Sequence, residues 1–98
     1  MRDGFEWDER KAAANLRKHG VSFEEATTVF EDVLALSFPD PDHSLWEDRE
    51  IILGSSALGR PLLVVSVERG PVLRIISARK ATPWERSAYE EGGPLEAK

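Results

Sequence analysis

Apolar and polar positions follow two rhythms along this 98-residue chain, helical in the first third and strand-like afterwards. Residues 8–19 read as a helix. Asp8 is placed to cap it, Ala12, Ala13 and Ala14 favour it, and Gly20 is placed to end it. Ser22 and Glu25 have capping-box spacing, and Phe23, Ala26, Val29 and Phe30 mark the apolar stripe of a second helix that Glu31 and Asp32 close. The period then drops to two. Residues 33–38 form a first strand, and Arg49–Ser55 sets Ile51 and Leu53 against Ile52 and Gly54. Residues 61–67 are almost wholly apolar, as in a central strand covered on both faces. Between the first two strands, residues 39–48 carry two prolines and repeated Asp, which break regular structure.

The most informative stretch is residues 72–89. Alternation over the last strand, residues 72–78, places Arg74, Ile76, Ala78 and Lys80 on one face and Leu73, Ile75, Ser77 and Arg79 on the other. A helix follows at once, with Thr82 and Glu85 spaced as a capping box and Pro83 at its first position. Gly92, Gly93 and Pro94 stop it. Arg79 and Lys80 therefore stand at a strand-to-helix junction, which suits an anion. Arg79 is expected to face outward, so that its replacement changes stability by less than about 0.5 kcal/mol.

Two helices, four strands and a helix predict an α+β domain with helices on one face of a four-stranded antiparallel sheet. The length fits one domain, residues 1–91, with a flexible tail over 92–98. Without cysteine there is no disulfide, thiol nucleophile or thiolate metal site. No apolar run is long enough to span a bilayer and the first residues carry no signal-peptide core, so a cytoplasmic, non-membrane protein is expected. Asp40, Asp42 and His43 lack an established metal-ligand spacing, and no metal or other cofactor is expected. The net charge of −5 argues against nucleic acid, but its distribution does not: residues 1–59 carry −7 and residues 60–89 carry +4. A local positive field of that kind steers a polyanion.

The segment from Arg74 to Thr82 (Arg-Ile-Ile-Ser-Ala-Arg-Lys-Ala-Thr), with Glu85, Arg86 and Tyr89, resembles the C-terminal signature of BrnT-type toxins. Phe5-Glu-Trp-Asp8, Asn15 and residues 18–26 resemble the family's opening. Asp42-His43-Ser44, residues 47–49 and Gly59-Arg60 resemble its middle. The blocks stand in the family's order and cover residues 5 to about 91. The resemblance implies a RelE-like fold and a bacterial ribonuclease of a type II toxin–antitoxin pair. It also implies a ribbon-helix-helix antitoxin, two toxins assembled with two antitoxins, and contact with operator DNA only through the antitoxin.

Cleaving RNA through its own 2′-hydroxyl requires a proton acceptor, charge stabilisation of the phosphorane and a proton for the leaving oxygen. Arg79 and Arg74 suit the phosphate because the guanidinium fork matches it, with Lys80 and Arg60 as supporting charge. His43, His19, Lys80 and Tyr89 are the groups able to move a proton, and Arg49 and Lys18 extend the RNA-binding set. The alternative is a non-catalytic nucleic-acid or protein-binding module, with Trp7, Trp46 and Trp84 as stacking surfaces.

Overall fold

Capping side chains set the helix boundaries in this computed structural model, which describes residues 4–41 and 48–92. Asp8 Oδ1 accepts from the Arg10 and Lys11 N–H groups at 2.8 and 3.2 Å, opening α1 (Glu9–His19). Gly20 closes it at φ 70°, a left-handed conformation that a side chain would strain. Ser22 Oγ accepts from the Glu25 N–H at the start of α2 (Phe23–Thr28), which runs into a 3₁₀ turn over Val29–Glu31. Thr82 and Glu85 complete a reciprocal capping box at α3 (Pro83–Glu91).

The sheet has five strands: β1 (Phe5–Glu6), β2 (Leu36–Pro39), β3 (Arg49–Ser55), β4 (Pro61–Arg69) and β5 (Val72–Lys80). Their spatial order is β1-β5-β4-β3-β2. Four strands are antiparallel, as the short turns require, but β1 runs parallel to β5, with Phe5 beside Leu73 and Glu6 beside Arg74. The expected four-stranded antiparallel sheet is thus a five-stranded mixed one. A two-residue strand has no periodicity of its own and is specified by the edge it joins. The strand expected over residues 33–38 begins later, at Leu36, because Asp32 holds a turn: its backbone oxygen accepts from Ala35 N–H and its Oδ1 from Leu34 N–H.

On the first face of the sheet, α1 and α2 pack over a core of Val21, Phe23, Ala26, Val29, Ile52, Leu62, Val64, Ile75 and Ala78, with Trp7 edge-on to Phe23. Gly54 permits the closest approach there. A Cβ on it would lie 2.9 Å from the Ala35 Cβ and 3.0 Å from Val29 Cγ1. Asn15, buried within α1, staples that helix to β5: its Nδ2 donates to Val21 O at 3.0 Å and Ala78 O at 2.8 Å, and its Oδ1 accepts from Ala78 N–H. The third helix departs from the expected single-sided packing. It starts beside Arg79, on the second face, and packs against β3. The molecule measures 35 × 31 × 24 Å.

Candidate functional site

A β-bulge organises the cations. Going up β4 and β5, Ser66 pairs with Ile75 but Val65 pairs with Ser77, so Ile76 is an extra residue facing no partner. The bulge overturns strict alternation. Ile75 and Ala78 both lie in the first-face core, and Arg74 and Arg79, expected on opposite faces, come to share the second face. About 13 Å of strand separates them. Register adds two more arginines to this face. One row runs Arg49, Val67, Arg74 and Glu6 across four strands, and Arg69 lies beyond it, opposite Val72. Another runs Leu36, Leu53, Leu63 and Arg79. The strands of the second face thus carry four arginines and one glutamate, while those of the first carry Glu50, Glu68 and Lys80.

Two of these arginines, Arg79 and Arg74, are held by carboxylates. Arg79 is half-buried and anchored: Nη1 and Nη2 donate to Glu85 Oε1 and Oε2, each at 2.9 Å, and Nη1 also reaches Lys80 O. This arrangement uses the far end of the guanidinium. Its Nε–H and the second Nη2–H, the other fork of the plane, have no partner among the described residues. Arg74 Nη1 donates to Glu6 Oε2 at 3.0 Å, and its other donors have no partner among the described residues. Arg49 is half-buried and engaged as well.

Arg60 has a different setting. Its Nε donates to Glu25 Oε2 at 2.9 Å, its Nη2 donates to Glu25 Oε1 and, at 3.0 Å, to Gly20 O, and Ser56 Oγ donates to the same carboxylate at 2.7 Å. The pair ties the end of α1, the start of α2 and the β3–β4 turn together. The Arg60 bond holds the Glu25 carboxyl below its ordinary value despite burial. Lys80 is exposed, on the first face and close enough to Glu25 to contribute to that shift. Lys18 and His19 lie in the last turn of α1, at the same end as Arg60. The candidate residues therefore form two groups: Arg49, Arg74 and Arg79 on the second face, and Lys18, His19, Arg60 and Lys80 around the end of α1. His43, with Asp42 and Trp46, lies outside the described residues.

Tyr89 donates its proton to Asp32 Oδ2, which also accepts from Ser55 N–H at 2.8 Å. That bond, with burial, pushes the phenol up to about 12, and it tethers α3 to Asp32. Sequence reasoning missed Glu6 and Asp32 as partners, and read Glu25 and Glu85 only as caps. Their positions in the first helical turn explained them locally, and no local signal reports a partner 35 residues away such as Arg60. Asp40 is buried and engaged, and among the described residues no group of three or more His, Asp or Glu is placed to hold a metal ion. No described helix is long and apolar enough to cross a membrane.

Comparison with known proteins agrees with this geometry. A search of curated proteins gives no match. Among solved structures, the Brucella abortus ribonuclease toxin BrnT is similar, with 28% identity and a TM-score of 0.61 over 78% of this chain and 92% of that one. The family described as the ribonuclease toxin, BrnT, of type II toxin–antitoxin systems matches residues 7–85. Over four-fifths of its length, from Trp7 in the core to the Glu85 that holds Arg79, this chain belongs to the BrnT family of ribonuclease toxins.

Proposed function

We propose that this protein is an RNA-cleaving toxin whose substrate lies on the second face of the sheet, with backbone phosphates on Arg79 and Arg74. The observation that carries the reading is the open Nε/Nη2 edge of Arg79, on the same face as Arg74 by virtue of the bulge. The 2′-oxygen attacks the adjacent phosphorus as its proton passes to a base, and the P–O5′ bond breaks as the 5′-oxygen takes up a proton. A 2′,3′-cyclic phosphate and a 5′-hydroxyl result. The arginines stabilise charge on the phosphorane without a metal ion. His43 is the candidate for the proton transfers at this face, with Arg49 as supporting positive charge; His19, Lys80, Lys18 and Arg60 stand in the other group, around the end of α1, where they extend the positive surface for RNA. A ribbon-helix-helix antitoxin, in a two-to-two assembly in the cytoplasm, covers the arginine face and alone contacts DNA.

Cleavage of a labelled RNA by the purified protein tests this reading. Arg79→Ala is expected to lower the rate on the order of a hundredfold, and growth arrest with it. Activity in EDTA is expected to equal that in Mg²⁺. An Arg79→Ala protein as fast as its parent removes this residue from the site, and loss of activity in EDTA with recovery in Mg²⁺ refutes metal independence. The binding-module alternative is weakened by Trp7, which is core, though Trp84 is exposed at the start of α3. RNA that is bound and never cut would favour that alternative.

A further inference from the structure

Glu85 accepts three hydrogen bonds that serve two purposes. Oε1 takes the Thr82 N–H at 2.8 Å and Arg79 Nη1 at 2.9 Å, while Oε2 takes only Arg79 Nη2. The cap therefore needs one carboxylate oxygen, and the arginine fork needs both. Burial works to raise the Glu85 carboxyl, but the Arg79 fork and the Thr82 N–H overcome it and keep the group ionised. The Glu85 side chain is only 12% exposed, against 38% for Arg79. The carboxylate is thus a fixed base plate, and the guanidinium presents its remaining edge outward.

We infer that Glu85 is a positioning residue, which acts through Arg79 by fixing the guanidinium plane so that its Nε/Nη2 edge meets the scissile phosphate. This inference rests on the proposed RNA-cleaving function. An arginine held at one end by a bidentate carboxylate has already lost its rotamer freedom, so less is lost when phosphate binds and the transition state forms. Field and geometry make opposite demands here. A negative charge beside Arg79 weakens the attraction for a polyanion, so a carboxylate at this position disfavours RNA binding while improving alignment. Removing the charge alone should then lower kcat without raising KM.

Glu85→Gln separates the roles. The amide oxygen still accepts from Thr82 N–H, but the amide NH₂ replaces Oε2 and opposes the Arg79 Nη2 donor, so the cap survives and the fork does not. Steady-state cleavage of a labelled single-stranded RNA is measured for the parent, Glu85→Gln, Arg79→Ala and the double variant, each with a thermal melt. We expect Glu85→Gln to lower kcat about tenfold with KM unchanged or lower. In the Arg79→Ala background the same change should alter kcat by less than about twofold, because nothing remains to be aligned. Thr82→Ala, which weakens the cap alone, should lower the melting temperature and keep kcat within about twofold of the parent. Glu85→Gln at the parental kcat overturns the inference while leaving the ribonuclease reading intact, as does an equal loss with and without Arg79. A parent protein that cuts no RNA overturns both.

Discussion

At the scale of single residues, what matters most is how each charge is held. Arg79 was expected to be removable at little cost, yet its loss leaves Glu85 largely buried without its partner. Arg79→Ala should therefore cost about 1–2 kcal/mol, so each activity loss needs a melt beside it. The Glu25–Arg60 pair makes a pH prediction. The folded Glu25 pKa is depressed, so its contribution to stability is complete above the unfolded value near 4.5 and is lost as pH falls through the folded value. Urea melts from pH 7 to pH 3 should show Glu25→Gln less stable at neutral pH but with a shallower acid decline. Parallel curves would remove the pair from acid denaturation. Ile75 and Ile76 make a second comparison: Ile75 is 1% exposed and Ile76 is half-buried at the bulge. Ile75→Ala should cost about 2–4 kcal/mol and Ile76→Ala clearly less. From the sequence alone, Ile76→Ala is expected to cost a few kcal/mol; the bulge, which leaves Ile76 without a cross-strand partner, moves that cost to Ile75.

The elements divide into those legible in the sequence and those that depend on distant partners. Asp8, Ser22, Thr82, Gly20 and Gly92 gave the helix ends because capping is settled within four residues. Strands β3, β4 and β5 were legible from their apolar runs. The bulge was not: Ile75 and Ile76 break the alternation between Arg74 and Ser77, but only the pairing with Val65 and Ser66 makes Ile76 the extra residue. β1 was hidden for the same reason. Helix α3 has no buried residue, and its inner stripe of Glu85, Ala88 and Tyr89 is held by polar tethers to Arg79 and Asp32. Tyr89→Phe removes one tether while keeping the ring. It should cost about 1 kcal/mol and speed amide exchange in α3 while α1 and β4 keep their protection. Uniform acceleration across all three would show that α3 opens only with the whole domain.

The size of the whole molecule decides which of its charges an approaching RNA feels. The longest dimension is 35 Å and the net charge is −5, with Arg49, Arg69, Arg74 and Arg79 gathered on one sheet face. In about 0.01 M salt the Debye length is roughly 30 Å, so a distant RNA senses the whole protein as an anion and is repelled. Near 0.1 M it shrinks to about 10 Å, less than the width of the molecule, and only the face turned towards the RNA acts. At still higher salt the arginine–phosphate contacts themselves weaken. Association of this toxin with RNA should therefore be fastest at intermediate ionic strength, whereas a uniformly basic ribonuclease slows with every addition of salt. Stopped-flow association rates from 0.01 to 0.5 M salt check this, and a steady fall over the whole range would mean that the net charge plays no part in the encounter. On the proposed function, the acidic remainder of the surface would then act as an orientation filter, turning away approaches to sides other than the arginine face.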